Sequence, residues 1–346
     1  TTACTDQALL TVASVSERLG LPCYISYEQA RHVTNKVYMK KTFEEYGICT
    51  NPYCVICDVR DKKIEEYTRI NAYPFIVKPC DCNSSQGVKK VNNEHELRQA
   101  IEDAIQLSRT GMVILEQYVQ GQEISVDAWV TNGQPQILAV SKTNKMLERE
   151  DCFTIYQSQY PAELSTSQKD TLIDVIQKIC AAFKLANCPL LVQAITTESG
   201  VYVVEFSARM GGGSKYKLIE YMSGINIMQR YVDLVEQKQH SNLKTQIARD
   251  LIEMDYIYAY NGTIKDIKNF NKLKESGIIC EIFQYKTIGD EVRHRTVSGD
   301  RVMGILLRAD NAEELVKKRN KVLAETQILD LEDKDIMYRE CFAYDL

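Results

Sequence analysis

No apolar run in this chain of 346 residues approaches the roughly 18 that a membrane-crossing helix needs. The opening TTACTDQALL also lacks the charged-then-apolar order of a secretory signal. A cytoplasmic protein without a membrane partner is expected. A basic excess is missing too: 42 Lys and Arg stand against 47 Asp and Glu, a net charge of −5, so no face for nucleic acid is expected. The sequence has no internal repeat and no low-complexity tract. Its 12 cysteines have no regular spacing, which favours reduced, mostly buried thiols over a disulfide framework. Cys54 and Cys57 fall in the strand-like run YCVICDV, where residues three apart point to opposite faces, so a zinc site there is not expected.

What remains is an ordinary globular composition, 45% hydrophobic and 26% charged, long enough for two or three domains. A helix is expected over Asp6–Leu19, followed by the short segment LPCYIS. A second helical pattern runs from Tyr27 to Tyr46, ended by Gly47 with Pro52 beyond. YCVICDV and YPFIVKP read as strands, and the polar loop CDCNSSQG follows the second. Asn93 and Glu96 are placed as a capping box for a helix Glu94–Ser108. MVILEQYV and EISVDAWV are strands, and Asn132-Gly133 is a hairpin turn before QILAVSK. A helix near Gln168–Leu185 precedes the hairpin LLVQAIT and VYVVEFS, and MGGGS leads into further short helices. From about residue 245 strands return, in MDYIYAY, IICEIFQY and RVMGILL, before a helix Ala312–Thr326. This order predicts an α+β fold around mixed sheets, not a doubly wound parallel sheet.

Four segments carry candidate chemistry, and each also reads as ordinary structure. Lys78 ends a buried strand, and the backbone N–H groups of Ser84, Ser85, Gln86 and Gly87 behind it can wrap phosphates. The spacing is not GxxxxGK[ST], so this is no P-loop; the plain alternative is a surface hairpin loop. LEQYVQGQE puts Glu116 at the end of one strand and Glu123 at the start of the next, a hinge whose backbone around Gln117 to Val119 can hold an adenine while Glu123 accepts from ribose hydroxyls. The alternative is a solvated connection. In LVQAIT and VYVVEFSAR, Gln193, Glu205 and Ser207 offer oxygens suited to Mg²⁺, and Arg209 suits a phosphoryl group or a carboxylate. The alternative is an ion pair between Glu205 and Arg209. Lys36, early in its helix, is a fourth candidate for phosphate contact, or a surface lysine.

Taken in order over residues 27–235, these segments resemble the ATP-grasp superfamily. NKVYMKKTFEEYGICTNP looks like the entry helix, whose lysine matching Lys36 contacts ATP phosphates. YPFIVKP with its Ser/Gly loop looks like the lid strand and phosphate loop, with Lys78 the second ATP lysine. EQYVQGQE is similar to the hinge, with Glu123 as the ribose glutamate. VEFSARMGGG resembles the metal strand E-x-N-x-R, with Glu205 bridging two Mg²⁺ ions. Ser207 stands where that family usually has Asn, and Gln193 where Glu is common, as in its carbamoyl-phosphate synthetase branch. SGDRVMGILLRADNAEELVKKRNKVL looks like the appended domain of L-amino-acid ligases.

The resemblance implies an ATP-grasp fold of two α+β lobes over 28–240, with a lid subdomain at about 55–118. A C-terminal α+β domain would cover 241–346, and residues 1–27 would be the last helix and strand of an N-terminal Rossmann-like domain, with a sheet missing its usual partners. It also implies ATP and Mg²⁺, or Mn²⁺, as cofactors and small carboxylate and amine substrates, and it allows a homodimer. The reaction implied is phosphorylation of a carboxylate to an acylphosphate, then displacement by an amine. Lys36, Lys78 and the metal ions balance the phosphates while Arg209 stabilises the transferred group; no histidine is required, which suits a chain with four. Bicarbonate or carbamate activation, and a non-catalytic nucleotide-binding module, stay open beside ligation. The run RHR, Arg293 to Arg295 around His294, reads as a contact for a carboxylate or as a solvated face.

Overall fold

The computed structural model describes residues 5–82, 85–146, 152–238, 243–246, 248–294 and 297–345. The chain forms two compact units that interleave along the sequence. The first comprises Thr1–Val140, Glu163–Gly211 and Asn226–Lys244; the second comprises Ser141–Ala162, Gly212–Ile225 and Thr245–Leu346.

In the first unit, the helix Asp6–Leu19 starts at Thr5, whose hydroxyl accepts from the Ala8 N–H, and ends at Gly20 in the left-handed conformation, φ 64°. No strand forms between Gly20 and Ser26, contrary to the expectation of a strand remnant before residue 28. The stretch carries Pro22, and Ser26 already caps the next helix with a full capping box to Gln29. The pattern Tyr27–Tyr46 is not one helix. It breaks into Tyr27–Thr34 and Lys36–Glu45 at Asn35, whose side chain accepts from the N–H groups of Val37 and Tyr38. An asparagine that can bind its own following backbone favours a cap over a helix interior. The break places Lys36 on the first helical residue, with its N–H donating to Cys80 O at 3.2 Å.

A four-stranded antiparallel sheet follows, in the order Tyr53–Ile56, Val113–Gln117, Phe75–Pro79, Lys89–Val91. The helices Lys62–Ile70 and Glu94–Leu107 cover one face, burying Ile64, Tyr67, Leu97 and Ile101 against Phe75, Val77, Val113 and Leu115. Strand alternation then sends Lys78 and Glu116 to the opposite face, diagonal neighbours because Ile76 pairs with Glu116 and Lys78 with Ile114. The helix Lys62–Ile70 was not foreseen, since only Ile64 and Tyr67 of its nine residues are buried.

The same unit contains antiparallel strands Gln122–Thr131, Cys188–Thr197 and Gly200–Ser207. Asn132 and Gly133 both have positive φ, 50° and 78°, as the expected hairpin turn requires. Phe43, Phe183 and Phe206 pack with ring centroids 4.6–6.1 Å apart, so the helix that begins at Lys36 is anchored on the strand that ends at Ser207.

The second unit has strands ordered Glu281–Gln284, Met303–Ala309, Leu251–Ala259, Ile155–Tyr160, all antiparallel, with helices Lys215–Ser223 and Ala312–Glu325. A small sheet orders Glu291–Val292, Gly262–Lys268 and Gln327–Asp330. The α+β expectation with antiparallel sheets agrees with this architecture, and no helix among the described residues is long and apolar enough to cross a membrane.

Candidate active site

Glu116 is a buried carboxylate of the first unit, with its side chain 2% exposed. Its carboxylate bridges two lysines, Lys40 and Lys78, at 2.8 Å each. Lys40 also donates to the Thr50 hydroxyl, which in turn donates to Val203 O at 2.6 Å. Burial alone would push the Glu116 carboxyl up, but the two lysines hold it below the ordinary carboxylate range. Lys40 bears the cost of this crowding: burial, with Lys78 adding to it, brings its ammonium down to about 8. The arrangement resists being taken apart, because removing one member leaves an uncompensated buried charge.

A second pair lies in the same unit. Lys36 meets Glu205 at 3.2 Å and donates to Cys82 O at 2.8 Å. Burial opposes the Lys36 charge, and Glu205 outweighs it, so the ammonium titrates above its ordinary value. Glu205 is likewise held low: burial acts against it, and Lys36, Lys78 and Arg209 more than offset that. Its side chain keeps 34% exposure, so unlike Glu116 it is open to a ligand. Gln193 is its direct cross-strand partner, and Ser207 sits two residues on, opposite Leu191. An amide oxygen, a carboxylate and a hydroxyl grouped this way are hard donors, a set that fits Mg²⁺ or Mn²⁺ and leaves most coordination positions to phosphate or water.

Arg209 is engaged on every edge. Nε and Nη2 donate to the two oxygens of Asp6 at 3.0 and 2.6 Å, and Nη1 donates to Met210 O at 2.8 Å. Its direct ionic partner is therefore Asp6 on the first helix, and Glu205 pairs with Lys36 instead.

Beyond Lys78, the loop is fixed at its base and open at its tip. Asp81 accepts from the Ser108 hydroxyl and the Thr110 N–H. Ser85 and Gly87 have positive φ, 59° and 70°, and Ser85 and Gln86 are exposed. Ser84 lies outside the described residues. At the hinge, the Gln117 carbonyl accepts from Asn51, its side chain donates to Ala72 O and Pro74 O, and Tyr118 N–H donates to Pro74 O. Val119 is half-buried, and Glu123, the second residue of the next strand, lies opposite Ile195. Gly121 is required between them: a Cβ there would lie 2.4 Å from Thr196 O.

Lys36, Lys78, Glu116, Gln193, Glu205, Ser207 and Arg209 thus belong to one unit, where an ion pair and strand pairing join Lys36, Glu205 and Gln193, and a second ion pair joins Lys78 and Glu116. Sequence reasoning missed Lys40 and Asp6. Lys40 carried a signal, since it follows Lys36 by one helical turn and shares its face. Asp6 carried none, being 203 positions away from Arg209. In the second unit, Arg293 pairs with Glu291 at 3.1 Å, and the His294 ring packs tilted against Tyr338 with centroids 4.6 Å apart; Arg295 lies outside the described residues.

Residues 71–217 match the sequence model of the ATP-grasp domain. Among solved structures, the chain is similar to an L-amino acid ligase from Bacillus licheniformis, TM-score 0.78 at 18% identity over 95% of this chain and 80% of that one. A phosphoribosylglycinamide synthetase from Anaerococcus prevotii gives a TM-score of 0.71 at 18% identity, over 95% and 82%. The biotin carboxylase domain of a Hydrogenobacter thermophilus 2-oxoglutarate carboxylase, a dimer in complex with MgADP, ADP and bicarbonate, gives 0.74 at 16%, over 92% and 72%. At such identities the likeness establishes a shared fold.

Proposed function

We propose, from the premise that residues 71–217 form an ATP-grasp domain, that this chain is an ATP-dependent carboxylate–amine ligase. The observation that carries the reading is the open Lys36–Glu205 pair set beside Lys78, with Gln193 across the strand. A lysine and a carboxylate that neutralise each other while remaining reachable are placeholders: a phosphate chain takes the lysine and a hard cation takes the carboxylate. Glu205, Gln193 and Ser207 would hold Mg²⁺, which supplies charge neutralisation on the phosphates.

The chain's own residues do the rest. Lys36 and Lys78 bind and orient the β- and γ-phosphates, and the N–H groups of Ser85, Gln86 and Gly87 close on them. Glu116 is too buried to touch a ligand; its task is to aim Lys78, with Lys40 keeping the charge balanced when Lys78 turns to phosphate. The backbone of Gln117 to Val119 receives the adenine and Glu123 the ribose. A substrate carboxylate attacks the γ-phosphorus in line, the bond to the ADP oxygen breaks, and an acylphosphate results. An amine then attacks the acyl carbon and inorganic phosphate leaves. Arg209 offsets the charge of the transferred group once its bonds to Asp6 yield.

The test is ADP release across pairs of amino acids and, separately, with bicarbonate. Release that requires both a carboxylate and an amine supports ligation. Release with bicarbonate alone points to carboxylate activation of the biotin-carboxylase kind instead.

A further inference from the structure

The second unit buries two acids and a guanidinium that no step of the nucleotide chemistry touches. Glu253 and Asp255 lie two residues apart on the strand Leu251–Ala259, so they share one face, and each is 1% exposed. Tyr256, on the opposite face, meets Gly213 O instead. Arg319, buried on the helix Ala312–Glu325, donates from Nη1 to Glu253 Oε1 at 3.0 Å. Gln159 and Gln157, cross-strand partners of the two acids, donate to Glu253 Oε2 at 3.1 Å and to Asp255 Oδ1 at 2.9 Å. The strand Met303–Ala309 adds only the uncharged Leu307 and Ile305 opposite them. Among the described residues, the charged groups on this side are Arg319 and, one strand further out, Lys142 opposite Gln159.

The direction of the hydrogen bonds fixes where the protons are. Asn144 Nδ2 donates to Gln157 Oε1 at 2.6 Å and to Gln159 Oε1 at 3.0 Å, which uses both of its N–H bonds. Each glutamine therefore turns its own NH₂ toward an acid, and each acid accepts there. The Asp255 and Glu253 carboxyls are also hydrogen-bonded to each other. Two ionised carboxylates cannot make that bond, so one of them carries a proton. Arg319 and Gln159 favour the charged form of Glu253, and the Asp255 Oδ2 has no donor of its own. The proton therefore sits on Asp255. Burial and the neighbouring Glu253 both push its carboxyl well above the ordinary range.

We propose that the proton between Asp255 and Glu253 is a lock that fastens the helix Ala312–Glu325 to its sheet. With the proton in place, the pair presents one negative charge to the Arg319 guanidinium. Its loss sets two buried anions side by side, and lifting the helix to admit water relieves them. The closed state holds a proton that the open state, with Asp255 near its ordinary 3.8, gives up. Rising pH therefore favours opening for as long as the closed state keeps the proton, and the effect levels off beyond that.

Hydrogen exchange of the Ala312–Glu325 amides in the whole chain, from about pH 6 to 9, tests the lock. Asp255→Asn puts an N–H₂ where Oδ2 stands, so it donates to Glu253 without a titrating proton. The ratio of wild-type to Asp255→Asn exchange rates should climb about tenfold per pH unit, a comparison that cancels the intrinsic pH dependence of exchange. The infrared spectrum at neutral pH should hold a protonated-carboxyl band that shifts on isotopic labelling of aspartate and is absent from Asp255→Asn. Parallel pH dependence in the two proteins, or a neutral spectrum without the aspartic-acid band, would overturn the proposal. Should Asp255→Asn fail to fold, labelled wild type carries the test, with the helix Glu94–Leu107 as the reference for intrinsic exchange. Equal pH dependence in the two helices would then overturn it.

Discussion

Glu116 and Glu205 are two carboxylates of one unit with opposite duties, and exposure separates them. At 2% exposure Glu116 is structural wiring; at 34% Glu205 is available to a ligand. Glu116→Gln leaves Lys40 and Lys78 buried as like charges with no counter-ion, and should cost about 3–5 kcal/mol of stability in urea unfolding. Glu205→Gln should leave the fold within about 1 kcal/mol of wild type, since the side chain is part-exposed, yet abolish Mg-dependent ADP formation. A Glu205→Gln protein with full turnover would remove that residue from the site. Lys40 shows how a residue can be missed although its position advertises it. The sequence puts it one turn from Lys36, but only the fold shows that its charge is spent on Glu116.

At the scale of elements, the break at Asn35 matters most, because it decides where Lys36 points. Asn35→Ala removes the acceptor for the Val37 and Tyr38 N–H groups and should cost about 1 kcal/mol, with a weaker affinity for ATP as Lys36 loses its fixed start. Calorimetric titration with Mg-ATP and a thermal melt measure the two effects separately. Local chemistry made many elements legible: the helix over Asp6–Leu19, the cap at Asn93, and the Asn132-Gly133 turn all follow from short-range backbone preferences. The misses share a cause. Lys62–Ile70 buries too little to show a stripe. The strand Ile155–Tyr160 reads as polar because Gln157 and Gln159 spend their amides on Asp255 and Glu253. Asn35 interrupts a helical pattern that hydrophobic spacing alone carries straight through. Arg209 with Asp6 is a long-range pairing that no local signal encodes.

For the whole molecule, the buried charges set how stability follows pH. Glu116 and Glu205 titrate below their ordinary 4.5 in the folded state. The unfolded chain therefore binds more protons in acid, and the stability they contribute is present above that value and lost as pH falls through their folded values. Lys40 acts at the other end. Its folded value, about 8 against 10.5 unfolded, means the unfolded chain again binds more protons between the two, so this residue makes stability rise with pH across that window. The buried thiols of Cys54, Cys180 and Cys188, pushed up from 9.0 by burial, make stability fall over the same range, so the Lys40 contribution is read as a difference: from pH 8 to 10 wild type should lose less stability than Lys40→Met.

The central claim, that Lys36, Lys78 and Glu205 serve a Mg-ATP-dependent ligation, is tested most directly by ADP release from the wild-type protein. The assay supplies Mg-ATP with a panel of amino acids singly, in pairs, and with bicarbonate. The account predicts ADP release that needs Mg²⁺, a carboxylate and an amine together, with stoichiometric phosphate and an amide product. Tight Mg-ATP binding with no ADP release under any combination would contradict it and leave a nucleotide-binding module in its place.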